Sequence, residues 1–285
     1  MKLDELLTEE QLDELDFKKL GKAAKSAAAA AAIGSTLVTG TPQTSAMPLS
    51  TTTAQQQDIE KPEVQQPAQK QDQGKTVQSS LPKDLKDLPV AEKKKAFLST
   101  IVPIVKKINK EIAQNRQKLL ALIKKGNLTD SEKQWVAKLM KKYKTNDLKT
   151  LISRVDVIPT SMVVAQAAIE SGWGTSRFAR QGNSLFGQRD YSGGGLSPQG
   201  AKGFTVAKFD NIGDSIKSYM NNLNTHTAYR GFRDMRKNMR QSGSDLDSLD
   251  MITALTKYSE RGHNYVRDLS SIIKSNNLQK YDSLI

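Results

Sequence analysis

The stretch AQAAIESGWGTSRFARQGNSLFGQ, running from Ala165 to Gln188, places one carboxylate, Glu170, at the end of an apolar run and follows it with a glycine-rich turn. Proline has a backbone angle suited to a first helical turn, and Pro159 is followed by Met162, Val163, Val164, Ala165, Ala167, Ala168 and Ile169, apolar almost all round. This predicts a buried helix. Gly172 and Gly174 supply the left-handed or tight conformations that end it, so Glu170 falls in the last turn, where free carbonyls concentrate partial negative charge. Desolvation by the apolar helix, Trp173 and Phe178 acts in the same direction and favours the protonated acid. Two readings of Glu170 stand at this point: a general acid, or a helix-end carboxylate that bonds the amides of the next loop.

Outward from this helix, Lys93 to Lys125 reads as one or two helices, bent or interrupted at Pro103, with Phe97, Ile101, Ile104, Ile108, Ile112, Leu119, Leu122 and Ile123 at helical spacing. Gly126 and Asn127 end it. A helix from Ser131 to Tyr143 buries Trp135, Leu139 and Met140, and a short one from Leu148 to Val155 leads into the Pro159 helix. On the other side, Gly182 to Phe209 has the Gly and Pro density of loops, with Phe204, Val206 and Phe209 alternating as the return strand of one β-hairpin. Helices resume over 212–223, 228–240, 246–258 and 265–276, with Asp210 as the expected cap of the first. The fold class is mainly α: a helical domain with a small β-hairpin lobe flanking a substrate cleft.

Residues 1–40 form a leader region. An acidic, leucine-striped start is followed by LGKAAKSAAAAAAIGSTLVTG, basic first and then small and apolar, which has the order of a secretory signal. Its long acidic beginning and alanine-dominated core fit that pattern poorly, and an alanine-rich helix inside a leader is the other reading. A stable membrane span needs about 20 strongly apolar residues, which this stretch lacks. Residues 41–88, rich in Gln, Thr, Ser and Pro, bury too little apolar surface to offset chain entropy and read as a disordered linker. Residues 89–155 are the helical N-terminal part of the folded region and 156–285 its core.

The 285-residue chain has a formal net charge of +13 and no cysteine. Disulfides and thiol chemistry are therefore excluded, while either redox compartment is allowed. The charge draws the molecule to polyanions, anionic envelope polymers among them. No zinc finger, RNA-recognition signature or aromatic residues interleaved with the basic run suggests a specific nucleic-acid partner. His226 and His263, the only histidines, are too isolated for a zinc site, and no HExxH or CxxC occurs, so neither metal nor other cofactor is expected. Ser171 lies in no GxSxG elbow, which leaves acyl transfer without support.

Four segments, in order, resemble the Bax-like glucosaminidase-domain family, related to peptidoglycan hydrolases of lysozyme-like α+β fold. They are KKAFLSTIVPIVKKINKEIAQNRQKLLAL from Lys94, VDVIPTSMVVAQAAIESGWGTSRFARQGNSLFGQ from Val155, FDNIGDSIKSYMNNLNTHTAYRGFR from Phe209 and YSERGHNYVRDLSSII from Tyr258. The resemblance makes 156–285 a glucosaminidase-like catalytic core and Glu170 the proton donor to a glycosidic oxygen. It assigns the catalytic tyrosine of the last motif to Tyr258, and glycan strands of peptidoglycan become the expected partner. Trp173, Asn183, Phe186 and Gln188 would line sugar subsites, although Trp173 equally suits a core position and Asn183 a turn-holding one. Many relatives carry an acid in the hairpin, whereas YSGGGLSPQGAKGFTVAKF from Tyr191 to Phe209 has none, leaving Asp190 as the weak candidate for a second carboxylate. An N-acetylhexosamine substrate can substitute its own acetamido group for that carboxylate. The resemblance implies action in the periplasm or outside the cell, with a phage virion protein as the alternative. Rival activities are a lytic transglycosylase and a non-catalytic wall-binding or virion structural protein.

Overall fold

The computed structural model describes residues 80–198, 203–256 and 258–282. The expectations for the leader, and for the linker up to residue 79, lie outside them. Helix α1, Val90–Lys125, continues unbroken through Pro103. At 36 residues it is about 54 Å long, enough to serve two cores. Its first two-thirds carries Phe97, Ile101, Val105, Ile108 and Ile112 into the main hydrophobic cluster, and its end carries Leu119, Leu120, Leu122 and Ile123 into a second one.

The second cluster is closed by α2, Asp130–Lys142, and α3, Leu148–Arg154. Thr129 and Glu132 start α2 with a reciprocal capping box, the side chain of each accepting from the other's backbone amide. Trp135 is half-buried against this cluster, with the Lys118 ammonium 4.6 Å from its ring centroid.

Helix α4, Thr160–Ser171, is the centre of the molecule: every residue from Thr160 to Ala168 is buried. Its entry is fixed by buried polar groups. Asn109 of α1 donates to the Ile158 carbonyl at 2.8 Å and accepts from the Ile158 amide at 3.1 Å, and Asp282 accepts from the Ser161 amide at 2.7 Å. Gly172 ends the helix in the left-handed conformation, and Trp173 shares it at φ 57°. A left-handed tryptophan is strained, and its ring packs edge-on against Phe97 at 5.6 Å between centroids, which offsets that strain. At Gly174, φ 81°, an added Cβ would stand 2.6 Å from Leu81 Cδ1 and 3.0 Å from Leu85 Cδ2. Leu85 is itself buried, so the chain from Leu81 packs under this turn. Folded structure thus begins ahead of the expected boundary at residue 89.

A short α5, Arg177–Gly182, leads to the β-lobe, where β1, Arg189–Asp190, pairs antiparallel with β2, Thr205–Val206. Helix α6, Ile212–Thr225, is capped by Asn211, whose Oδ1 accepts from the Asp214 amide at 3.0 Å; the expected cap, Asp210, instead presents its carbonyl to Asn183. Helix α7, Arg230–Gln241, follows. The helix expected over 246–258 is a single turn, α8, Ser248–Met251, continued by a 3₁₀ turn, Ile252–Leu255. Tyr258 lies beyond both. The YSERGHNY segment forms turns and then enters α9, His263–Ser275. The domain is mainly helical with one small hairpin, as the periodicity predicts.

Candidate active site

Glu170 sits at the one position of α4 that is open to solvent, while Ile169 beside it is half-buried and the rest of the helix is enclosed. The residue keeps an exposed edge, yet its carboxyl is surrounded closely enough for desolvation to be the largest influence on it, raising its pKa. Water at that edge keeps the rise below what full enclosure would produce. A hydrogen bond from Tyr265 and the charge of Arg261 oppose it. The outcome is a carboxyl biased toward its protonated form, with one face toward water.

The side chains facing Glu170 come from three elements. From α4 itself, Gln166 lies one turn earlier, on the same helix face. From α6 comes Tyr219, and from the YSERGHNY turn and the start of α9 come Tyr258, Arg261 and Tyr265. The Tyr258 ring stacks on Tyr265 with centroids 5.4 Å apart and meets Tyr219 edge-on at 6.2 Å. Tyr229 completes the aromatic group at 6.1 Å from Tyr258. Burial pushes the Tyr258 hydroxyl well above its usual range, and the negative charge of Glu170 pushes it further. Tyr258 therefore stays a neutral phenol beside the carboxyl. Arg261 is steadied by an ion pair with Asp268.

The other expected site residues take different places. Asp190 does not join this group. Its carboxylate accepts from the Ser192 amide at 2.8 Å, the Ser192 hydroxyl at 2.6 Å and the Thr205 hydroxyl at 3.3 Å, and these bonds lower its pKa. Phe186 is not a lining residue: it is buried and stacks flat on Tyr219, with centroids 3.9 Å apart. Its place in the sequence suits a subsite, but its ring is what holds Tyr219 in register. Trp173 packs against Phe97 and beneath the Lys94 ammonium, 4.9 Å away, as a half-buried part of the core. Asn183 is left-handed at the end of α5 and donates to the carbonyls of Phe209 at 2.9 Å and Asp210 at 3.2 Å, so it joins the lobe to α6. Gln188 donates to the Ser218 hydroxyl at 3.1 Å, and its Oε1 has no partner among the described residues. That oxygen is buried, so Gln188 is held toward α6 by its amide.

Gln166, Tyr219, Arg261 and Tyr265 were not expected from the sequence. Gln166 carried a signal, as a lone amide within an apolar helix, four residues before the carboxylate. Tyr265 lies seven residues after Tyr258 within the same motif. Tyr219 looks like any apolar position of an amphipathic helix.

A family model described as glucosaminidase, mannosyl-glycoprotein endo-beta-N-acetylglucosaminidase, matches residues 145–278, a span that contains all of these groups. The protein Bax of Escherichia coli strain K12 is 38% identical over 208 residues, which are 70% of this chain and 75% of the relative. The chain belongs to the Bax-like glucosaminidase family. Among solved structures, the catalytic domain of the autolysin Auto from Listeria monocytogenes is similar with 20% identity and a TM-score of 0.40, over 68% of this chain and 89% of that one. Family membership supports a glycosidase. Among the described residues, no helix is long and apolar enough to cross a membrane.

Proposed function

We propose that this glucosaminidase-family protein hydrolyses a β-1,4 bond of N-acetylglucosamine in peptidoglycan, with Glu170 as the general acid. The observation that carries the reading is a carboxyl kept toward its protonated form at the end of a buried helix, with an open edge for the leaving oxygen. Tyr258 remains a neutral phenol next to it, suited to stabilise charge developing at the sugar or to orient water. Asp190 is tied into its own hairpin, so the acetamido group of the substrate serves as the second catalytic group, a known substitute for a paired carboxylate. The net charge of +13 holds the enzyme near the anionic envelope polymers that accompany its substrate, in the periplasm or outside the cell.

Glu170→Gln keeps the shape and cannot act as an acid. It should lower wall-degrading activity by about 10²- to 10⁴-fold; purified Glu170→Gln that clears peptidoglycan like the parent would sink the assignment. Mass analysis of the released fragments separates hydrolysis, which gives reducing ends, from transglycosylation, which gives 1,6-anhydro ends.

A further inference from the structure

A groove of about 470 Å³ lies between the N-terminal part of α1 and the 3₁₀ turn Leu278–Tyr281 that follows α9. Leu98, Val102 and Pro103, on one face of α1, give it an apolar floor, and Tyr281 faces them. Its charges are all of one sign: Lys94, Lys95 and Lys280 line it, and no carboxylate does among the described residues. Lys94 is fixed in place, donating to Asn276 Oδ1 at 3.0 Å and lying 4.9 Å from the Trp173 ring centroid. Lys95 and Lys280 are exposed. Lysine stems add apolar surface while their ammonium groups stay at the rim. A floor of hydrocarbon with a cationic rim fits a partner that brings apolar side chains and carboxylates together. A purely polar polyanion would satisfy the rim and leave the floor uncovered.

The chain itself carries such a segment. KLDELLTEEQLDELD, from Lys2 to Asp16, interleaves five leucines with seven carboxylates against a single lysine. The point where the chain enters the described fold is also close by. Leu81 packs under Gly174, the neighbour of Trp173, and it is over the Trp173 ring that the Lys94 ammonium lies. A flexible polar chain of about 60 residues, the length that separates Asp16 from Ser80, spans roughly 40 Å. Closing a loop of that size adds little entropic cost over a shorter one. We propose that residues 2–16 dock in this groove as an intramolecular partner, leucines on the Leu98, Val102 and Pro103 floor and carboxylates at Lys94, Lys95 and Lys280. Docked there, the segment covers part of the basic surface that would otherwise meet anionic polymers, and its removal or displacement exposes that surface. The proposal does not depend on the reaction at Glu170.

The experiment treats the whole 285-residue chain, as a mixture of isotope-labelled and unlabelled copies, with a carbodiimide that joins carboxylates directly to lysines, and maps the links by mass spectrometry. Links from the carboxylates of residues 4–16 should fall on Lys94, Lys95 and Lys280 of the same copy, about tenfold or more above those to the exposed Lys138 and Lys217. Two double variants separate the rim from the floor. Lys95→Glu with Lys280→Glu changes exposed positions only, and should lower the links to the remaining Lys94 by about five- to tenfold. Leu6→Asp with Leu7→Asp adds negative charge, yet should lower the links to all three lysines by about tenfold or more, because the floor loses its leucines. Links that rise in that variant would reduce the contact to plain charge attraction and overturn the docking. Links spread evenly over Lys138 and Lys217, or joining labelled to unlabelled copies, would overturn it as well. So would links that appear only after Leu284→Asp with Ile285→Asp, which would give the groove to the C-terminal residues instead.

Discussion

Two carboxylates stand at opposite ends of the same helix and are treated in opposite ways. Asp156 stands just before α4 and is buried; its carboxylate lies 3.8 Å from Arg116, 3.6 Å from Arg236 and 3.1 Å from Arg240. Although desolvation is the largest single influence there and raises the pKa, the three guanidinium groups together outweigh it and hold Asp156 well below the usual carboxylate range. Glu170, in the last turn of the helix, has one more distant arginine and a ring of neutral phenols, and desolvation prevails. The difference teaches that burial does not decide a carboxyl's protonation; the company it keeps does. Asp156 is a permanent anion that organises structure. Glu170 is a carboxyl whose surroundings favour its protonated form.

The arginines around Asp156 outnumber it, and backbone carbonyls take up the excess. Arg236 donates to the carbonyls of Ser153, Asp156 and Val157 and to Asn224 Oδ1, at 2.8 to 3.1 Å, and Arg116 donates to Ile152 and Val155. Burial still pushes the Arg236 guanidinium down to about 10, so it remains charged at neutral pH. These bonds draw α1, α6 and α7 onto the strand of chain between α3 and α4. They set the start of α4, and with it the position of Glu170 at the far end.

The largest effect that would break the contrast is on catalysis at one end of the helix and on stability at the other. Glu170→Gln should cost activity by about 10²- to 10⁴-fold while the protein unfolds no earlier than the parent. Asp156→Asn should do the reverse, lowering stability by about 3 to 5 kcal/mol in denaturant unfolding, because the buried Arg116 and Arg236 and the half-buried Arg240 lose their counter-charge. The molecules that remain folded should keep their activity per molecule. An Asp156→Asn protein of parental stability would show that the carbonyls alone satisfy the arginines.

A smaller effect should appear in the pH dependence of stability, with opposite signs at the two ends. The folded pKa of Asp156 lies below that of an unfolded aspartate, so its contribution is fully present above the ordinary carboxylate range and is lost as pH falls through the folded value. For Glu170 the folded pKa is raised, so its ionised form is disfavoured in the folded state. Stability from that group is greatest below about pH 4 and is lost as pH rises through the folded value. Glu170→Gln should therefore melt above the parent at neutral pH and level with it near pH 4. Equal melting temperatures throughout would mean that solvent at the open edge of Glu170 cancels the desolvation.

The same two residues mark how much was legible in the sequence. Glu170 could be found because a period of apolar residues followed by Gly172 and Gly174 fixes a buried helix and its end, and these are local signals. Asp156 passed unnoticed, since its partners arrive from positions 116, 236 and 240, and only the convergence of α1 and α7 on the segment between α3 and α4 shows that they meet. Tyr219 and Phe186 were hidden in the same way: Phe186 was expected at a sugar subsite, and nothing local says that its ring stacks on Tyr219. Tyr258 was reachable through the motif, but its place in a turn was not, because Leu246 to Leu255 has helical spacing and only part of it forms a helix.

The smallest effect should come from Asp190, and it bears on whether Glu170 works without a carboxylate partner. Three hydrogen bonds from Ser192 and Thr205 keep Asp190 ionised within the hairpin, and removing that charge weakens them without touching the acid. Asp190→Asn retains an acceptor for the Ser192 amide, so it should lower stability only slightly and kcat by less than about threefold. A second catalytic carboxylate behaves otherwise: its amide variant loses activity by orders of magnitude, and an added anion such as azide restores turnover by taking the vacated place. Azide rescue of Asp190→Asn would therefore move the hairpin carboxylate into the reaction. Without rescue, the chemistry opposite Glu170 falls to the acetamido group of the sugar and to the neutral phenol of Tyr258, which is the arrangement that a lone acid at the end of a buried helix requires.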